Sequence, residues 1–552
     1  MPPKKTPKAA SGREPSSVAQ FHDCVKRFYE ETFARNPIEG SLAGRHEFDA
    51  ELGHAGPGAA EQQIELVGET LAAIEDLPLQ DFCGSDLLDR RAMLSNLRLD
   101  WLQTAVLRRW ENNPQIALHT TADAIHDLFV HNADNLAPVA GAILSRLKQV
   151  PRYLDEAAEG LRRPDPLWKA LALKNAPAVG RFFESLSEPI AAASGQDAGQ
   201  VRRLTHKAAA ATAGYARHVQ ALRCAPAGSF ALGEERLAAL MRERLGVDYS
   251  PREALTTGRR LAAQLGEELR KEARRFDPRK SPAEILDQAR RQWQPAGASL
   301  LEAYEQTTRR IGERFKEAGW LDFPKGDTLL VRQVPDFMSD QFPTAAYSPA
   351  GPLDPRQVGI FWVNDLSAKA ASEEARRGEI AQHFGLELTC AHEAYPGHHL
   401  QFVCQSRIPS LARKMAHHAI YYEGWTLWCE QMVADLGVSE NPHLRLQQLH
   451  DALWRAWRIV IDVGLHTGQL DYKAACAVLE REVGFTPARA QGDVNWYSAA
   501  PTVPMSYLLG KVELLRLKHA RVEMGAMSLR EFNNWVLSFG AIPWRWIEES
   551  GL

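Results

Sequence analysis

Residues 392–401 read HEAYPGHHLQ. The stretch opens as a metal-binding helix does, with His392 followed directly by Glu393. A straight helix would carry its second histidine four residues on, where Pro396 stands, and the next histidines are His398 and His399. Six residues turn an undistorted helix through about 600°, which leaves His392 and His398 about 120° apart. Seven residues restore the direction for His399 but add about 10.5 Å of rise, too far for one ion. Pro396 lacks an N–H and opposes continuation of the helix. Gly397 then permits unusual dihedrals. A Pro-Gly bulge that absorbs two residues would return His398 to the geometry of an i+4 partner, so His398 is favoured over His399.

Zinc in a catalytic site takes three protein ligands and keeps one open position. Downstream, AIYYEGWTLWCEQM places Glu423 in an apolar, aromatic segment, 31 residues after His392. A carboxylate there is costly to bury unless it is paired or bound to metal. Glu423 is therefore the expected third ligand, with Glu430 a weaker candidate. The plain alternatives are two helix-terminal histidines with satisfied side chains, and a Glu423 paired with an arginine in a helical core.

The rest of the chain sets the frame. It has 552 residues, 45% hydrophobic and 24% charged, with a net charge of −4. That is ordinary for a globular protein and argues against a nucleic-acid partner. No apolar run of about 18 residues or more appears, so no membrane partner is expected. The opening MPPKKTPKAASGREPSS is basic and lacks the apolar core of a secretory signal, so residues 1–18 read as a disordered tail. Seven cysteines, an odd number with no CxxC pair, suit buried free thiols in a reducing cytoplasm. Cys390 and Cys429 lie near the motif in sequence, and packing is the expected role of both.

Amphipathic helical patterns recur around 19–34, 60–75, 84–112, 138–160, 199–222, 233–245, 251–275 and 300–319. Residues 327–364 differ: short β-branched runs (LLVRQV, GIFWV) between Pro, Gly and Asp read as a small sheet. A boundary near residue 290 would separate an N-terminal helical lobe, 19–290, from a catalytic lobe, 291–552. The fold class expected is mainly α, with the small sheet beside the motif helix.

Several blocks carry a resemblance. RNPIEGSLAGRHEFD, AYSPAGPLDPRQVGIFWVN, HEAYPGHHLQ, EGWTLWCEQM, RAWRIVIDVGLH and WYSAAPTVPMSYLLGKVELLRLK together resemble the bacterial family known as domain of unknown function 885, grouped with gluzincin-type metallopeptidases. The resemblance implies a two-lobed helical fold with a deep central cleft. It also implies Zn2+ held by His392, His398 and Glu423, with Glu393 as general base and His399 supporting a ligand. One block departs from the family pattern: Trp496 stands where the family has arginine and Val503 where it has glutamine, and Pro504 intrudes, while Tyr497, Pro501, Ser506 and Tyr507 remain.

A hydrolase also needs a donor for the developing oxyanion. Arg458, Asp462 and His466 fall at i, i+4 and i+8 on one helix face. His466 is the first candidate donor and Tyr497 or Tyr507 the second. Asp462 could orient a histidine, or simply pair with Arg458. Arg458 or Lys511 could bind a free substrate carboxylate. Residues 359–364, GIFWVN, could hold a substrate backbone by strand addition, with Trp362 as a contact. The alternative is a small structural sheet.

The reading supported is a zinc hydrolase of peptide or amide bonds in small substrates, cytoplasmic, monomeric or homodimeric. Two alternatives stand beside it. One is a metal-dependent amidase for a specialised metabolite or modified peptide. The other is a helical binding protein without turnover.

Overall fold

A computed structural model describes residues 16–334 and 344–552. Most of the expected N-terminal tail, residues 1–15, and residues 335–343 within the strand region lie outside the described residues. Ser16 accepts a hydrogen bond from the Ala19 N–H and starts a helix at Ser17, so Ser17 and Val18 belong to that helix and not to the tail.

The fold is mainly α with one three-stranded sheet. Helix starts follow local chemistry. Ser250 with Glu253, and Ser281 with Glu284, form capping boxes, each with proline at the first helical position. The pattern over 84–112 is not one helix. Gly84–Trp101 passes into a wider turn at Leu102–Leu107, and Arg108, at φ 46°, breaks the chain before Arg109–Asn112. The helix Gln115–Val130 buries residues on several faces, so it lacks the one-sided stripe that marks a surface helix.

The sheet comprises β1 (Thr328–Gln333), β2 (Ala345–Ser348) and β3 (Val358–Val363), in the order β1-β3-β2. β3 pairs parallel with β1 and antiparallel with β2. The strand expected to receive a substrate backbone is therefore central, and both its edges are already hydrogen-bonded. Alternation along β3 sends Phe361 and Val363 into the core that holds the metal-motif helices. Ile360 and Trp362 go into a second core formed with helices of residues 115–219.

That first core is continuous across residue 290. Pro251–Ala273 packs along Leu444–His466, with Gly258 against Ile459 and Val460. Ala419–Asp435 and Val503–Lys518 are a second close pair. A Cβ built on Gly424 would stand 2.5 Å from the Gly510 carbonyl carbon, so both positions need glycine for the backbones to touch. This crossing brings the glutamate helix and the Tyr507 helix together. No helix among the described residues is long and apolar enough to cross a membrane.

Candidate metal centre

The motif helix does not bulge at Pro-Gly; it breaks. Leu386–Glu393 ends, four residues intervene with a cis Tyr395–Pro396 bond, and a new helix runs His398–Ser406. Trp425 Nε1 donates to the Pro396 carbonyl at 2.9 Å and fixes the break. A Cβ at Gly397 would lie 1.9 Å from the His392 carbonyl oxygen, so only glycine allows the chain to fold back this tightly. The outcome is the one the bulge would have served. His398, first residue of the second helix, faces His392 on the last turn of the first, with ring centroids 4.9 Å apart.

His392 Nε2 lies 3.4 Å and His398 Nε2 3.7 Å from the same Glu423 oxygen, Oε2. These three ligand atoms lie within 4.8 Å of one another. Ligand atoms about 2.1 Å from a tetrahedral zinc stand about 3.4 Å from each other. The two separations from Glu423 Oε2 thus exceed a good hydrogen bond and lie near a coordination edge. Glu423 Oε2 has no hydrogen-bond partner although the residue is buried, so this oxygen is suited to a cation. The donor set, two imidazoles and one carboxylate, fits zinc.

Further side chains hold these candidate ligands. Glu430 Oε1 lies 2.9 Å from His392 Nδ1, the arrangement that directs Nε2 toward a metal. Glu430, the weaker ligand candidate, is thus a supporting carboxylate. Seven residues after Glu423, it shares a face of the same helix. Arg455 approaches Glu430 at 3.8 Å. His399 faces away from the ligand set: Nδ1 is 3.0 Å from the Tyr347 hydroxyl and Nε2 is 3.2 Å from Asp327. Tyr395 also donates to Asp327, at 2.5 Å. A Cβ at Gly359 would lie 2.6 Å from His399 Nδ1, so β3 carries glycine where the histidine crosses it.

Electrostatics follow burial and neighbours. Burial pushes His398 down to about 3, leaving it a neutral ligand. Burial also works against charge on His392, but Glu423 and Glu430 outweigh it and raise it to about 10. A cation would have to displace that proton. Burial opposes ionisation of Glu423, yet His392, His398 and a hydrogen bond from Tyr507 hold its carboxyl below the usual range. Burial raises Glu393 to about 7, against the pull of His392.

Tyr507 is the expected donor that reaches the centre: its ring stacks on His392 at 6.3 Å, and burial, then the Glu423 carboxylate beside it, raise its phenol well above the ordinary range. Arg458 lies over the Tyr507 ring at 4.7 Å and over Trp454 at 3.9 Å. It is not paired with Asp462, which accepts the N–H groups of Thr502 and Met505. The Tyr497 hydroxyl is engaged by Arg458, Asp493 and Trp454 and so positions the arginine. His466 is placed elsewhere: its helix rises about 16 Å after Arg455. There it is fully buried, bonded to the Tyr497 carbonyl and edge-on to Phe230. Lys511 is buried one turn beyond Tyr507, and burial, partly offset by Glu430, lowers it to about 8. Trp362, 2% exposed, donates to Ser348 and lies in the core on the far face of the sheet, so it is not a substrate contact.

One neighbour has no signal in the sequence pattern. His417 is exposed, and its ring packs against Tyr422 at 4.5 Å and Phe402 at 6.1 Å. The same two rings flank His398, each at 5.8 Å.

This architecture is that of a mainly helical protein built around a two-histidine, one-glutamate cluster. The chain belongs to the family described as "Bacterial protein of unknown function (DUF885)", which it matches over residues 37–550. Two solved structures share the fold. One is "a putative lipoprotein of unknown function from Shewanella oneidensis", 18% identical with a TM-score of 0.77, covering 97% of this chain and 99% of that one. The other is a "putative lipoprotein from Colwellia psychrerythraea", 19% identical with a TM-score of 0.76, covering 97% and 98%. No curated protein matches.

Proposed function

We propose that this protein is a zinc-dependent hydrolase of peptide or amide bonds in small substrates. The observation that carries the reading is the convergence of His392, His398 and Glu423, whose ligand atoms lie within 4.8 Å of one another, with Glu393 next to the first of them. Zinc held there would supply a Lewis acid and water of lowered pKa. Glu393 would take a proton from the attacking water and return it to the leaving amine. Tyr507 is the nearest placed donor for the developing oxyanion, and His417 offers a second from the side of His398. Glu430 and Arg455 would keep His392 oriented.

A narrower reading has its own support. Trp496 replaces the arginine the family pattern expects, and its ring lies 5.2 Å from Arg458. An aromatic lid over that guanidinium favours an amidase for a modified peptide or specialised metabolite. The free state of all seven cysteines supports a cytoplasmic location.

The test is elemental analysis of purified wild-type protein beside His398→Ala, His399→Ala and Glu423→Ala, followed by a peptide and amide screen read by mass spectrometry. About one zinc per chain is expected, lost with His398 or Glu423 and kept with His399. No metal after zinc soaking, or bound zinc without turnover across the screen, would return the non-catalytic reading.

A further inference from the structure

At the opposite end of the first motif helix lies a cavity of about 360 Å³. Its wall includes Trp293, Phe384, Glu387, Asn441 and Arg310. Two buried polar atoms of that wall are unmatched. Glu387 is 7% exposed; its Oε1 accepts from the Ser439 hydroxyl at 2.5 Å, while Oε2 has no partner. Asn441 accepts the His443 N–H through Oδ1 at 3.0 Å, while its Nδ2 has no partner. The cavity therefore offers one charged acceptor and one neutral donor, each unsatisfied. Buried groups of this kind are normally paired. Arg310 adds a cation at the mouth, being exposed. Trp293 and Phe384, edge to face at 6.2 Å, supply an apolar wall.

A ligand that satisfies all of these carries a cationic donor, an anionic acceptor and an apolar body. A simple cation would leave Asn441 and Arg310 unused, and a simple anion would be repelled by Glu387. We propose that this cavity binds a free α-amino acid with an apolar side chain. The ammonium group lies on Glu387 Oε2, the carboxylate on Asn441 Nδ2 and Arg310, and the side chain against Trp293 and Phe384. A volume near 360 Å³ falls in the range of small-molecule sites. The site is separate from the metal centre: Glu387 and His392 are five residues apart on one helix, about 7.5 Å of rise. The proposal does not depend on the hydrolase reading.

Isothermal titration of the full chain with L-phenylalanine tests it, with phenethylamine and 3-phenylpropionate as probes that each lack one charge. The expected Kd for L-phenylalanine is about 1 mM or tighter, with each analogue about tenfold weaker or more. Glu387→Gln and Asn441→Ala should each weaken L-phenylalanine about tenfold, and His398→Ala should leave it unchanged. Arg310→Ala, at an exposed position of the Leu300–Ala318 helix, should keep the fold, weaken L-phenylalanine and leave phenethylamine unaffected. No binding at about 20 mM, equal binding in Glu387→Gln and Asn441→Ala, or loss in His398→Ala would overturn the proposal.

Discussion

Gly510 lies directly against the Ala419–Asp435 helix: a Cβ on Gly510 would stand 2.1 Å from the Ile420 carbonyl oxygen and 2.9 Å from the Gly424 Cα. No rotamer change relieves a clash with backbone. The contact sets the distance between Glu423 and Tyr507, which sit beside these glycines on the two helices. Gly510→Ala should therefore cost about 1–3 kcal/mol of stability and loosen Tyr507 from Glu423. Thermal unfolding and zinc affinity measured together check this. A variant as stable and as tight-binding as wild type would show that the helices are free to separate.

Glu430 Oε1 lies 2.9 Å from His392 Nδ1 and outside the candidate ligand set. Glu430→Gln should keep the fold and lower zinc affinity about 10–100-fold, because Gln can still hydrogen-bond but cannot hold charge against the imidazole. Competition against a chelator of known affinity gives the number. Complete loss of zinc would instead make Glu430 a ligand.

Glu393→Gln separates chemistry from binding. Zinc content should stay near wild type while turnover on any substrate found falls by about 10²-fold or more. Undiminished turnover would remove Glu393 from the role of base.

Trp362→Ala should destabilise the protein by about 3–5 kcal/mol, the usual cost of emptying a buried tryptophan site. KM should not change in the folded fraction, because Trp362 faces the core opposite the metal helices. A raised KM at unchanged stability would restore it as a substrate contact.

His131 ties the helical region to the loop between β2 and β3. Its ring lies 3.3 Å from the Asp127 carboxylate and 3.0 Å from the Pro349 carbonyl. Burial opposes the charge, but Asp127 and the carbonyls outweigh burial and raise the imidazole from 6.5 to about 9. A raised folded-state pKa means that this stabilisation is fully present below the unfolded value and is lost as pH climbs through about 9. Wild type should exceed His131→Ala by about 1–2 kcal/mol near pH 6, with a margin that shrinks by about pH 10. Denaturant unfolding of both proteins at the two pH values reads it. A constant margin would mean that the charge of His131 is not what ties the loop.

Much of the His392, His398 and Glu423 cluster was legible because its chemistry is unusual for its surroundings. An HE pair, a Pro-Gly break and a lone glutamate among Tyr, Trp and Leu are each costly without a purpose, and the cost shows in the letters. Local patterns also announced most helices, since a one-sided apolar stripe and a serine cap are properties of a few neighbouring residues. A helix buried on several faces, such as Gln115–Val130, carries no stripe and was silent. Of the candidate donors, Tyr507, the second choice from the sequence, lies against His392, while His466, the first choice, is buried elsewhere.

By itself, then, the sequence determined the donor types, the departure from a straight helix at Pro396–Gly397 and the mainly helical class, because these depend on chemistry within a few residues, while the full break into two helices did not show in it. Only the tertiary structure decided which groups meet. His399 turned to Asp327 and Tyr347, Glu430 fell behind His392, and GIFWV became a central strand with Trp362 on its far face. These choices rest on helix crossings and strand order. A contact such as Gly424 against Gly510 joins residues 86 positions apart, and no local propensity encodes how closely two such backbones approach.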